Sequence, residues 1–244
     1  LWPIRETKRK GARTFSNVIS LMERYPDFVF GASQPQLYKW VKEDYPELYE
    51  KIKQKVKENR WECQGGMWVE ADTNVSGAEP LVRQFLYGKR FFKEEFGVDC
   101  RKLWLPDVVG YSSALPQILK KSGMDYFMTT KISWNNHDKM PMDTFMWEGL
   151  DGSEVFSHFI TCGDYLNARS GNSFTTYNGN LNPNQIMGSW ERFTHKDICN
   201  EVLCSVGWGD GGGGTDRQML ENGKRMAKGI PGVPKVRFEA AGNY

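Results

Sequence analysis

The chain has 244 residues, of which 39% are hydrophobic and 25% are charged, so it can bury one sizeable core. Its 32 basic and 30 acidic side chains are mixed along the sequence and leave a formal charge of +2, which argues against nucleic acid or an anionic membrane surface as a partner. No run approaches the roughly 18 apolar residues of a spanning helix, so no membrane segment is expected.

Amphipathic helical stretches alternate with short β-rich runs along the chain. The spacing of Phe15, Val18, Ile19 and Met22 predicts a first helix that ends before Pro26. The other predicted helices cover residues 37–59 with a break near residue 46, 78–96, 113–121, 185–193 and 217–228. The predicted strands cover residues 27–32, 60–64, 102–105, 125–130, 144–149, 154–160, 202–206 and 235–238, with a hairpin turn at 150–153 and a long surface loop at 162–183.

This order of elements favours an α/β fold. Repeated strand-then-helix units predict a parallel sheet that is closed or nearly closed into a barrel, and residues 1–244 are expected to form most of one domain. In parallel α/β folds the reactive groups lie where strands end and loops begin. Polar residues that directly follow the apolar runs are therefore the candidates for a functional site.

Two acidic residues occupy such positions. Asp107 follows the predicted strand 102–105, where a helix-entry or turn aspartate is an equally good interpretation from position alone. Asp210 precedes four consecutive glycines, which allow close backbone approach to a ligand at an entropic cost. A phosphate-binding loop is disfavoured because Thr215-Asp216 follows, without the Lys-Ser/Thr pair of a P-loop.

The segment GGMWVEADTN at residues 65–74 also follows a strand. It combines an aromatic ring, Trp68, with acids that include Asp72, and such groups suit sugar hydroxyls. The alternative is a solvated loop whose Trp68 packs on a neighbouring helix. The chain is rich in aromatic residues, with nine Trp, ten Tyr and fourteen Phe, which is a further feature of carbohydrate sites.

Two carboxylates at separate strand ends of one barrel face meet the needs of glycoside hydrolysis. One must be ionised to attack the anomeric carbon, and the other must be protonated to release the leaving group. In retaining enzymes they lie roughly 5–5.5 Å apart. Asp107 and Asp210 are the predicted pair.

Five segments match the motifs of one family in order and at compatible spacing. They are LWP at residues 1–3, SQPQLY at 33–38, GGMWVEADTN at 65–74, WLPDVVG at 104–110 and GDGGGG at 209–214. Through them nearly the whole chain resembles glycoside hydrolase family 38, the α-mannosidases. Val109 departs from the pattern, since it stands where the family's WxPDxFG motif has an aromatic residue.

The resemblance implies that the protein removes terminal α-linked mannose from oligosaccharides or N-glycans by a retaining mechanism. Asp107 would be the nucleophile and a ligand of a catalytic zinc ion, and Asp210 would be the general acid/base. Lys131 matches a basic position near the family's bound sugar, and with Trp68 and Asp72 it completes the predicted substrate-binding set.

The family's other zinc ligands have no counterpart in this chain. The resemblance places a His and an Asp before its first residue and another His after its last, and it implies a barrel that here lacks its N-terminal strand. None of His137, His158 and His195 occupies a matching position, and His158 is expected to be structural. Because catalytic zinc needs about three protein ligands, the isolated chain is expected to bind zinc weakly and to show little activity.

Other interpretations remain at this point. A noncatalytic carbohydrate-binding relative is the main alternative, which the presence of both acids argues against, and a nucleotide-binding protein is a weaker one. The five cysteines are odd in number and without CxxC pairs, so they are expected to be reduced, which favours a cytoplasmic protein. A homo-oligomer is left open.

Overall fold

The computed structural model describes residues 2–135 and 137–244, so Leu1 of the LWP segment lies outside the described residues. The helices are α1 (Ile4–Arg24), α2 (Pro35–Asp44), α3 (Pro46–Lys57), α4 (Ala78–Phe96), α5 (Leu115–Lys121), α6 (Tyr165–Arg169), α7 (Pro183–Arg192) and α8 (Arg217–Ala227). The strands are β1 (Phe30–Ala32), β2 (Trp61–Cys63), β3 (Lys102–Trp104), β4 (Tyr126–Thr129), β5 (Thr144–Glu148) and β6 (Glu154–Phe159). Two 3₁₀ turns cover Lys131–Ser133 and Ala241–Asn243.

The described strands form two sheets. Strands β1 and β2 pair in parallel, and a second sheet has the order β3-β4-β6-β5. Strand β4 pairs in parallel with both β3 and β6, whereas β5 and β6 form the predicted antiparallel hairpin. The prediction of parallel strands alternating with helices is therefore confirmed, but closure of these strands into a barrel is not.

Local sequence signals set several helix ends. Proline is among the first residues of α2, α3 and α7, where its fixed φ suits a helix start. Asp216 caps α8, since its side chain accepts a hydrogen bond from the backbone N–H of Met219. Gly97 ends α4 in the left-handed region, with φ of 73°.

Two large apolar clusters hold the elements together. The first joins α1, α2 and α3 to the β1–β2 sheet and centres on Phe15, Tyr38 and Trp61. The second packs α4 and α5 against β3, β4 and β6 around Phe85 and Leu103. Each cluster packs helices against one of the two sheets.

Three sequence predictions about the fold are wrong. Residues 202–206 and 235–238 are not strands, and the first of these segments makes only an isolated bridge between Val206 and Gly179. The first run is mostly apolar and the second alternates basic and apolar residues, as strands do, but neither finds a continuous partner among the described residues. The predicted surface loop 162–183 contains α6 and buries Thr175 and Leu181, so it is partly an interior segment.

No described helix combines the length and the apolar character that crossing a membrane requires.

Candidate active site

Polar side chains follow parallel strands in both sheets. Ser33 follows β1, Glu70 lies beyond β2, Asp107 follows β3 and Lys131 follows β4. Because parallel strands end at the same edge of their sheet, their following loops are neighbours. Contacts between these four residues, described next, define the candidate site.

Asp107 is paired with a lysine. Nζ of Lys131 lies 2.8 Å from Oδ1 of Asp107, and the two side chains are 21% and 30% exposed. The same ammonium group lies 3.8 Å from the ring centroid of Trp134. The ion pair holds the Asp107 carboxylate in one position beside a positive charge.

Helix α1 and Trp2, which precedes it, hold the glycine-rich loop that carries Asp210. The Trp2 indole N–H donates to the backbone oxygen of Asp210 over 3.0 Å, and Arg13 donates to that of Gly211. Asn17 donates to Thr215 over 3.2 Å. Asp210 itself has a positive φ of 52°, which its hydrogen-bonded surroundings must stabilise.

Tyr177 links the two acids. Its hydroxyl donates to Oδ1 of Asp210 over 3.4 Å. Burial raises the pKa of Tyr177 above its usual range, and the charges of Asp107 and then Asp210 raise it further. The hydroxyl therefore stays protonated between two carboxylates. A side chain at residue 209 would crowd this ring, since a Cβ on Gly209 would lie 2.9 Å from Cε2 of Tyr177.

A third carboxyl group lies close by. Burial, and to a smaller extent the charge of Asp107, raise the pKa of Glu70 to about 7, although its hydrogen bond from Ser33 acts to lower it. The Ser33 hydroxyl donates to Oε1 of Glu70 over 2.7 Å. Glu70 therefore titrates near neutrality beside Asp107.

Trp68 and Asp72 have mainly local contacts. The Trp68 indole N–H donates to Gln36 over 3.0 Å, and its ring packs edge-on against Phe91 of α4. One Asp72 oxygen accepts backbone hydrogen bonds from Asn74 and Val75 at 2.8 and 3.2 Å, which closes a tight turn. These contacts fit the alternative of a packed loop, and a role for both residues in substrate binding stays a prediction.

The described residues do not by themselves fit a zinc site. Within residues 2–135 and 137–244, no group of three or more His, Cys, Asp or Glu side chains is arranged to hold a metal ion. Asp107 can supply one oxygen ligand, but Lys131 already lies against it. Two of the three histidines have other partners: His158 of β6 bonds Thr144 of β5, and His195 contacts Asp143.

Sequence reasoning missed Tyr177 and did not single out Glu70 or Trp134. Tyr177 lies in a polar stretch of the predicted loop 162–183, well beyond the end of β6. Its position depends on the path of that loop, which no local pattern encodes. Trp134 could have been found from its spacing, since it lies one turn after Lys131 at the end of β4.

Comparison with known proteins agrees with the motifs. The family model for the glycosyl hydrolases family 38 N-terminal domain matches residues 1–244. "Alpha-mannosidase G" of Dictyostelium discoideum is 43% identical over 244 residues, which are 100% of this chain and 21% of that protein. "Alpha-mannosidase 2C1" of Homo sapiens is 40% identical over 240 residues, which are 98% of this chain and 22% of that protein. The chain thus spans about a fifth of the length of these relatives.

A solved structure has the same fold. An alpha-mannosidase from Enterococcus faecalis V583 superposes with a TM-score of 0.77 at 18% identity, covering 100% of this chain and 27% of that one. The whole-chain match to the family model and the identity to the curated relatives confirm the resemblance found in the five motifs. The chain therefore belongs to the glycosyl hydrolases family 38 N-terminal domain family.

Proposed function

We propose that the protein containing this chain is an α-mannosidase that removes terminal α-linked mannose from oligosaccharides or N-glycans with retention of anomeric configuration. The observation that carries the proposal is the position of Tyr177, whose hydroxyl donates to Oδ1 of Asp210 over 3.4 Å. Its pKa is raised by burial and then by the charges of Asp107 and Asp210. Two carboxylates around one hydroxyl group suit a reaction that forms and breaks a bond to one anomeric carbon.

In the first step, a carboxylate oxygen of Asp107 bonds to the anomeric carbon while the bond from that carbon to the leaving oxygen breaks. Asp210 donates its proton to the leaving oxygen. In the second step, Asp210 takes a proton from water, the water oxygen bonds to the anomeric carbon, and the bond to Asp107 breaks. Lys131 holds the Asp107 carboxylate in place in the free protein.

The proposal includes a catalytic zinc ion, but it assigns that ion only one ligand among the described residues, Asp107. When bound, zinc would hold adjacent sugar hydroxyls and favour a distorted ring. Asp107 is the one described residue to which we assign it, and no step above passes through the metal. A cytoplasmic location, proposed from the cysteines alone, and a homo-oligomer both stay predictions.

The experiment is hydrolysis of an aryl α-mannoside by the full-length protein, followed by proton NMR. The proposal predicts that the first mannose released is the α anomer, which later equilibrates with the β anomer. Initial release of β-mannose would contradict retention. In a parallel sample, a chelator should abolish turnover and added zinc should restore it. Sugar binding without turnover would support the noncatalytic alternative.

A further inference from the structure

Two aromatic rings lie exposed beside the candidate site. Trp134 is 54% exposed and Phe174 is 42% exposed. Their ring centroids are 6.0 Å apart and their planes differ by 21°, so they are stacked. Neither belongs to the apolar clusters of the fold. These two rings, the aromatic pair, therefore present apolar surface to solvent at a cost that the core does not explain.

Buried hydroxyl groups hold the aromatic pair in place. The Trp134 indole N–H donates to the backbone oxygen of Thr175 over 2.7 Å. The Thr175 hydroxyl is buried and lies 2.6 Å from that of Thr130 and 2.8 Å from that of Ser133. Because Thr130 and Ser133 flank Lys131 and Thr175 follows Phe174, this network fixes both rings relative to the end of β4. A surface ordered before a ligand arrives loses less entropy on binding.

The aromatic pair adjoins the acids. Nζ of Lys131 lies between the Trp134 ring, 3.8 Å from its centroid, and Asp107, 2.8 Å from Oδ1. Phe174 lies three residues before Tyr177, whose hydroxyl donates to Asp210. A sugar ring on the aromatic pair would thus be next to the attacked sugar, with Lys131 between the pair and the nucleophile.

We infer that Trp134 and Phe174 form a binding site for the hexose ring on the leaving-group side of the cleaved bond. This inference rests on the proposed function. Hexose rings carry an apolar C–H face that packs on aromatic rings, and sites of this kind combine apolar surface with a few polar groups. Because a terminal mannose is removed, the leaving-group side is the one side on which a neighbouring sugar exists.

The test compares two substrates of the full-length protein. An α-linked mannobiose has a leaving-group hexose, whereas α-mannosyl fluoride has none. Trp134→Ala and Phe174→Ala are each expected to lower kcat/KM for mannobiose roughly tenfold, the size of a ring-packing contact. Both variants are expected to hydrolyse mannosyl fluoride within about twofold of the wild type, and Trp134→Phe should retain part of the mannobiose rate.

Phe156→Ala is the matched control, since Phe156 is 44% exposed but lies near the start of β6, away from the site. It should leave both rates unchanged. Equal losses on both substrates in the Trp134 and Phe174 variants, or no loss on either, would overturn the inference while the proposed function stands. Failure of the wild type to hydrolyse either substrate would overturn the proposed function and the inference with it.

Discussion

The ammonium nitrogen of Lys131 lies 2.8 Å from Oδ1 of Asp107. The two residues follow neighbouring parallel strands, β3 and β4, whose register pairs Trp104 with Met128. The pair therefore arises from the topology of the sheet, although the residues are far apart in sequence. It gives the proposed nucleophile a fixed position and a positive neighbour.

Lys131→Met removes this positive charge and keeps the length of the side chain. We expect kcat/KM for an aryl α-mannoside to fall about tenfold or more, because the attacking carboxylate loses the group that positions it and a displacement of about 1 Å can cost up to ~100-fold in rate. The melting temperature should change little, since partly exposed ion pairs contribute about 0–1 kcal/mol. The control is Lys120→Met, whose lysine also lies 2.8 Å from an aspartate, Asp125, at the opposite end of β4. Equal activity of the two variants would contradict the role of Lys131.

Tyr177→Phe removes the hydroxyl between the two acids. We expect kcat for an aryl α-mannoside to fall about tenfold, because Asp210 loses a donor that orients it. Stability should fall by less than about 1 kcal/mol, since the 3.4 Å hydrogen bond is long. Tyr25→Phe serves for comparison, because it removes a hydroxyl that bonds Glu221 over 2.7 Å, remote from the site. Full activity of the Tyr177 variant would show that the hydroxyl is dispensable.

Glu70 should make stability depend on pH. Its pKa rises from an ordinary 4.5 to about 7 in the folded chain, chiefly because of burial. A carboxylic acid whose pKa is raised by folding binds its proton more tightly in the folded chain. Its deprotonation therefore lowers the free energy of unfolding, progressively between pH 4.5 and 7 and fully above that window. Glu70→Gln should therefore be more stable than the wild type at pH 8 and equally stable at pH 4.

Chemical denaturation of the chelator-treated protein at the two pH values measures this difference. Glu154→Gln, at an exposed glutamate, should show no such pH-dependent gain. If Glu70→Gln gave the same difference from the wild type at both pH values, the glutamate would not be titrating in this window.

Replacing each of two helix glycines by alanine should change the stability of the protein in opposite directions. A Cβ on Gly88 of α4 would lie 2.1 Å from the backbone oxygen of Gly66, so Gly88→Ala should cost about 1–3 kcal/mol through overpacking. A Cβ on Gly11 of α1 would meet Leu37 at an ordinary 3.6 Å, so Gly11→Ala should stabilise by about 0.5–1 kcal/mol. Urea unfolding measures both, and a stable Gly88→Ala variant would refute the close packing of α4 on the segment that leads to Glu70.

Helix α4 shows which parts of the fold local sequence encodes. Its predicted bounds, 78–96, are those observed, because an apolar face runs through the helix and Gly97 supplies the left-handed residue that ends it. Residues 202–206 show the limit. Their apolar run is typical of a strand, but a strand also needs a partner in register, and residues 2–135 and 137–244 offer only Gly179 opposite Val206.

In the candidate site, too, local sequence indicates some residues and not others. Asp107 and Asp210 could be selected from sequence because each follows an apolar run and lies in a distinctive motif. Tyr177 could not, because its contact with Asp210 depends on how the segment after β6 folds back towards the glycine-rich loop. The raised pKa of Glu70 likewise depends on burial, which the pattern of residues 65–74 does not specify.

The most direct test of the central claim is hydrolysis of an aryl α-mannoside by the full-length protein, comparing the wild type with Asp107→Asn and Asp210→Asn. The account predicts turnover by the wild type and its loss or strong reduction in each variant, because one lacks the attacking carboxylate and the other lacks the proton donor. Wild-type turnover that survives either substitution would contradict the assignment of these two aspartates.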